Sequence, residues 1–233
     1  MRITIKVGPS LEENKGSLND LVNGFVHNVL GPGNKWHDTF SPYSISTLHG
    51  GKLNKATGRF SFPKGGKFVI SSDNQEFLAD MFTGLASVTD GKVGTMPLLG
   101  FETYSCGASP KFDLVRVENI RLKDNGKEIT FKDENYLSKL REHCIKKLIR
   151  NGISEEDALS IKLEAFYPEN WKVKYVKMKT GTKSENITPA STIMLIVKGN
   201  KEARSKMFNL GYGISTGSGF GFAITKKDNI NEV

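Results

Sequence analysis

Four histidines, His27, His37, His49 and His143, are the side chains of this chain that titrate near neutrality. They are the first candidates for taking or giving a proton in a reaction. A second kind of chemistry lies near the C-terminus, where NLGYGISTGSGFGFAI (Asn209–Ile224) carries Gly211, Gly213, Gly217, Gly219 and Gly221, with Ser218 among them. Glycine takes positive φ without steric cost and lets another backbone come close. Successive bared N–H groups can then wrap an anion. The spacing is not that of a dinucleotide fingerprint, which needs GxGxxG between a strand and a following helix. Nor is it a phosphate-binding P-loop, since no Gly-Lys-Ser/Thr closes the run. A hairpin merely packed against a sheet is the other reading of the same glycines. Cys106 and Cys144 are the only cysteines, without CxxC spacing, so neither a disulfide framework nor a zinc cluster is suggested.

The elements that must position these residues follow a repeated order. Arg2–Val7 alternates as a strand. A helix from about Ser17 to Leu30 is capped by Ser17 and stopped by the GPGN at Gly31–Asn34. Short strands are expected at Tyr43–Leu48 and at Arg59–Phe62 with Lys67–Ser71, then a helix at Asn74–Leu85 and a strand within Thr95–Tyr104. The second half reads as a strand at Asp113–Val117, extended by Ile129–Phe131, and a strong amphipathic helix at Glu134–Asn151. Strands at Lys172–Lys179 and Thr192–Val197, a helix at Lys201–Asn209 and a strand at Phe220–Thr225 complete it.

Each half is therefore β-α-β-β-α-β. The fold class expected is α+β, two tandem ferredoxin-like (RRM-like, βαββαβ) modules, residues 1–104 and 105–233, with a single larger α+β domain as the alternative. The boundary falls at Tyr104–Pro110, where Gly and Pro interrupt the pattern.

The formal charge of +8 favours polyanionic partners, nucleic acid or an acidic membrane surface. The start of the chain lacks the layout of a signal peptide, and no apolar run reaches the length of a membrane span. A cytoplasmic protein with no membrane association is expected.

The order of modules, with a helix feeding GYGISTGSGFGFAI in the second, resembles the Cas-six family of CRISPR-associated repeat endoribonucleases. The glycine signature, with glycines around a serine-containing turn and the Gly219-Phe220-Gly221 strand, carries most of that resemblance. WHDTFSPYSISTL (Trp36–Leu48), ASPKFDLVRV and FKDENYLSKLREHCIKKL support it. The resemblance covers the whole chain and implies cleavage of CRISPR repeat (precursor crRNA) transcripts without a metal. A 2′-hydroxyl attacks the adjacent phosphate, leaving 5′-hydroxyl and 2′,3′-cyclic phosphate ends. No cofactor is expected. The alternative is a non-cleaving RNA-binding subunit of a CRISPR effector complex, a kind of assembly the enzyme itself could join. A monomer or homodimer is expected.

That reaction needs a proton removed, a leaving oxygen protonated and phosphorane charge stabilised. The resemblance places the catalytic histidine at His37. His27, where many relatives have tyrosine, is either the second acid/base or a group that orients His37. Lys35 and Lys52 flank the His37 region as candidate charge stabilisers, and Tyr43, Ser44 and Ser46 as candidates to orient the phosphate. His49 is a weaker candidate, and His143, on a helix with Arg141, Lys146 and Lys147, reads as a solvated face residue.

For binding RNA, the glycine run is joined by WKVKYVKMKTGTK, in which Lys172, Lys174, Lys177 and Lys179 would make one hairpin face basic, with Trp171 and Tyr175 for stacking. A lysine-protected edge strand is the other reading of that segment. Arg204 and Lys206 are candidate phosphate contacts.

Overall fold

The computed structural model describes residues 1–14, 17–36, 41–88, 91–106, 113–167, 172–180, 184–224 and 228. The first half runs β1 (Arg2–Val7), β2 (Ser10–Asn14), α1 (Leu18–Leu30), β3 (Tyr43–Ile45), β4 (Lys52–Asn54), β5 (Arg59–Phe62), β6 (Gly66–Ser72), α2 (Gln75–Ser87), β7 (Lys92–Val93) and β8 (Met96–Tyr104). Alternation in β1 sends Ile3, Ile5 and Val7 into one core, where α1 contributes Val22, Phe25, Val26 and Val29. β1 lies between β6 and β8, both antiparallel to it, in the sheet order β3-β6-β1-β8-β7.

The second half runs β9 (Asp113–Ile120), β10 (Leu122–Asp124), β11 (Lys127–Ile129), α3 (Tyr136–Arg150), α4 (Glu155–Leu159), β12 (Lys162–Phe166), β13 (Lys174–Thr180), β14 (Ser184–Lys198), α5 (Lys201–Leu210), a 3₁₀ turn at Thr216–Ser218 and β15 (Phe222–Ile224). Its sheet order is β12-β14-β9-β15, again antiparallel, over a second core built on Val115, Val117, Leu140, Leu148, Ile193 and Leu195. Numbering only the strands that follow the βαββαβ order, both sheets read second, third, first, fourth. The fold is mixed α+β with antiparallel sheets.

Helix ends follow from their caps. Ser17 Oγ accepts from Asp20 N at 3.1 Å, Asn74 Oδ1 from Phe77 N at 2.9 Å, and Asn200 Oδ1 from Glu202 N at 2.8 Å. Each satisfies an N–H that the first helical turn leaves unpaired.

Two expectations are corrected. Lys172–Lys179 is not the second strand of the C-terminal sheet; the five-residue KLEAF of β12 holds that place. β13 pairs instead with Ser184–Ala190, the part of β14 that runs beyond its pairing with β9. Arg59–Phe62 separates from Gly66–Ser72 and joins a small sheet, β2-β5-β4.

The seam between the two sheets is the other determinant of the site. Arg2, 0 % exposed, pairs with the Asp228 carboxylate, donates to Ala223 O at 2.6 Å and lies 4.4 and 4.6 Å from the ring centroids of Phe208 and Phe222. Ser71 Oγ donates to Asn209 Oδ1 and Ser44 Oγ to Asn209 O, both at 2.9 Å. Val69 packs on Phe222 and Ile224.

Candidate active-site cleft

α1 and α3 come from different halves of the chain, and the glycine run lies between them. They enclose a cleft of about 660 Å3. From α1 it receives Asn23 and His27, four positions apart and therefore on one helix face. From α3 it receives His143, Lys146, Lys147 and Arg150, whose spacing of three, four and seven positions again makes one face. Between them lie Gly213 to Ser218, with Trp36, Ser41 and Tyr43 completing the lining. Among these lining residues there is no carboxylate. The charged side chains among these lining residues are all basic, a field that favours anions.

The glycine run holds its shape for reasons of packing. Gly221 has φ +64°, and a Cβ there would meet Tyr212 O at 1.7 Å. At Gly217 it would meet Ser41 Oγ at 2.3 Å, and at Gly219 (φ +81°) the Asn19 side chain at 2.9 Å. The loop is thus wedged against the other half. Asn19 Nδ2 donates to Ser218 O at 3.1 Å and Gly219 O at 3.2 Å, and Thr216 Oγ1 donates to Tyr43 O at 3.2 Å. Gly211, Gly219 and Gly221 are buried in this joint, whereas Gly213, Gly217 and Ser218 line the cleft. The packed reading of the run therefore holds for Gly211, Gly219 and Gly221, while Gly213 and Gly217 also border the cleft. Ser215 stands at φ 58°, an unusual value for a side-chain-bearing residue, and leads into the 3₁₀ turn. Among the described residues no backbone acceptor meets the N–H groups of Ser215, Thr216 and Gly217. Consecutive N–H groups of this kind suit an anion.

Lys147 secures the opposite side. It is 5 % exposed, and its ammonium donates to Gly211 O at 3.0 Å, Leu210 O at 3.4 Å and Thr216 Oγ1 at 3.4 Å. Its three protons meet three neutral oxygens, which ties both the start and the crest of the loop to α3. Burial pulls its pKa down to about 8. His143, half-buried, has its Nε2 3.5 Å from Lys123 O, and burial pulls its pKa down as well. The solvated-face reading of His143 is corrected by that position in the cleft wall.

The remaining sequence candidates sort by place. His27 lines the cleft. His37 lies outside the described residues, as does Trp171; Trp36 and Ser41, the described residues on either side of the His37 segment, both line the cleft. Lys35 is elsewhere: it pairs with Glu76, lies 4.0 Å from Asp80 and borders a separate cavity of about 450 Å3 between α1 and α2. Lys52 is exposed on β4. Tyr43 is buried and stacked on Phe77 at 4.3 Å, with burial pushing its phenol up to about 12. The hydroxyls of Ser44 and Ser46 are engaged in the sheet and seam.

His49 sits outside the cleft, 3.8 Å from Glu118 Oε2, with its pKa pushed down to about 4, first by burial and then by Arg116, Lys174 and Lys67. Lys172, Lys174 and Lys177 are exposed, and Lys179 falls on β13. In a continuous strand Lys174 and Lys177 face opposite sides, so the single basic hairpin face is corrected. Arg204 is 1 % exposed and held by Asp113 at 2.6 Å, and Lys206 pairs with Asp73 across the seam at 3.1 Å. Buried and paired with Asp113, the Arg204 guanidinium is not presented to solvent as a phosphate contact would be.

Sequence reasoning missed Lys146, Lys147 and Arg150 as a functional set. The signal available was their helical spacing with His143, but nothing in the sequence says which face of α3 meets the glycine run.

An α+β fold whose two antiparallel sheets share one strand order has counterparts among solved structures. Those counterparts are Cas6 and RAMP proteins. A structure described as "CRISPR associated protein Cas6" matches with a TM-score of 0.73 at 16 % identity, covering 97 % of this chain and 98 % of that one. "An RAMP protein binding different RNA substrates" gives 0.72 at 18 % identity, covering 96 % and 98 %. A Cas6-related protein from Pyrococcus furiosus gives 0.73 at 17 % identity, covering 96 % and 97 %. The chain has the fold of these proteins. No protein-family model and no curated protein sequence matches it. Among the described residues no helix is long and apolar enough to cross a membrane.

Proposed function

We propose that this chain is a Cas6-type endoribonuclease that binds CRISPR repeat transcripts and cuts them in the cleft between α1 and α3. The observation that carries the reading is the lining of that cleft: a histidine from α1, a cationic row from α3 and the anion-suited crest of the glycine run, without a carboxylate among the described lining residues. In this reading the strand order shared by the two sheets reflects two ferredoxin-like modules, residues 1–104 and 105–233.

The chemistry is internal transfer. The ribose 2′-oxygen attacks the neighbouring phosphorus as a base takes its proton. The bond from phosphorus to the 5′-oxygen breaks, and an acid supplies the proton to that oxygen. The products are a 2′,3′-cyclic phosphate and a 5′-hydroxyl, with no water consumed. His37 and His27 are assigned as the acid/base groups; the cleft-lining positions of His27, Trp36 and Ser41 support this. Charge that builds on the phosphorane is met by the Lys147-anchored loop and its N–H groups. Nothing in this scheme requires a metal.

The test is incubation with repeat RNA in excess EDTA, beside the same RNA bearing a 2′-deoxy sugar just upstream of the cut. Cleavage of the first alone is expected. Binding without cleavage of either leaves the chain as a non-cleaving RNA-binding subunit of an effector complex, and absence of binding removes the RNA reading altogether.

A further inference from the structure

α3 carries more positive charge toward the cleft than the scheme above uses. Lys146 and Arg150 are exposed, four positions apart, on the same helix face as His143 and the buried Lys147. Lys146 has an ion pair with Glu142 at 2.6 Å, but that pair is on the surface, where such contacts are weak and readily exchanged for a stronger anion. Glu142 itself does not line the cleft. From His143 to Arg150 the row extends about 10 Å along the helix axis. Lys147 fixes the row relative to the loop crest through Thr216, so exposed cations and N–H groups belong to one rigid wall.

We propose that the α3 row is a backbone-phosphate track, on which Lys146 and Arg150 neutralise two RNA phosphates outside the scissile one. The inference rests on the RNA reading of the cleft and gives the strand a course: across the loop crest and along α3. Glutamine at both positions retains helix propensity and removes two exposed charges, so the fold is left intact.

The experiment measures equilibrium binding of a 2′-deoxy-blocked repeat RNA as a function of salt. It compares the wild type, Lys146→Gln/Arg150→Gln and the charge-matched control Lys162→Gln/Lys201→Gln, whose residues are exposed and away from the cleft lining. Each lost phosphate contact lowers the salt slope by about 0.7 for single-stranded RNA, so the α3 variant should lose about 1.4 and bind about 25-fold more weakly near 0.1 M salt. The control should stay within twofold of wild type. An α3 variant with wild-type slope and affinity overturns the track while leaving the nuclease reading intact. An equal loss in the control overturns it too, because general charge and not position would then explain binding. Wild-type protein that fails to bind the RNA ends both.

Discussion

Replacing Lys147 by methionine should make the protein's stability respond differently to alkali. The side chain is enclosed, and the three oxygens that receive its protons are neutral. Burial lowers its pKa to about 8 from an ordinary 10.5. The unfolded chain therefore holds this proton more tightly than the folded one between those two values. Stability rises with pH wherever the unfolded state binds more protons, so Lys147 contributes a gain that begins near pH 8 and is complete above the unfolded value. A shift of this size is worth about 3 kcal/mol in total, most of which falls between pH 7 and pH 10.

The buried tyrosines Tyr43, Tyr136 and Tyr212, with phenols pushed up by burial, work in the opposite direction above pH 10. They are present in both proteins and cancel in the difference. Cys144 and His143, on its own helix, are titratable groups that interact electrostatically with Lys147. Cys144 is pushed up to about 12 and stays neutral through the window. Urea denaturation of wild type and Lys147→Met at pH 7 and pH 10 gives the four free energies. The wild type should gain most of that roughly 3 kcal/mol on the variant across the interval. A gap that does not change with pH would show that Lys147 is not a buried cation, and the account of the loop anchor would fail with it.

His27→Ala should lower single-turnover cleavage by about 10²–10⁴-fold while RNA affinity stays within threefold, as for loss of a proton-transfer group; a parallel loss of binding would make His27 a contact and not a catalyst. Gly221→Ala places a Cβ against Tyr212 O at a φ that alanine resists, and thermal unfolding should show severe destabilisation or no folded protein. Arg204→Gln leaves the Asp113 carboxylate without its partner and should cost about 3 kcal/mol in denaturant unfolding, with RNA affinity of the folded fraction unchanged; a wild-type stability with weakened RNA binding would restore it as a phosphate contact.

The four long helices were legible because their apolar spacing and caps are local properties: Ser17, Asn74 and Asn200 each announce a helix start. β12 was not, since five residues of KLEAF after a short helix give too little alternation to outbid the lysine-rich WKVKYVKMK that follows. Nothing local marks Arg2 and Arg204 as buried, because their partners Asp228 and Asp113 lie 226 and 91 positions away. The candidate site divides in the same way. His27 and the glycine crest could be found from local pattern, while Lys147 depends on where α3 meets a loop more than sixty residues later.

The joint built by Gly211, Gly219 and Gly221 also changes what a glycine signature diagnoses in other chains. These three positions answer to a neighbouring backbone and side chain, not to a bound molecule. A chain without histidines would still need Gly211 and Gly219 where its two halves meet and Gly221 where the loop closes on Tyr212. The signature therefore reports on architecture before chemistry, and the proposed cutting role is tested at α1 and α3 instead.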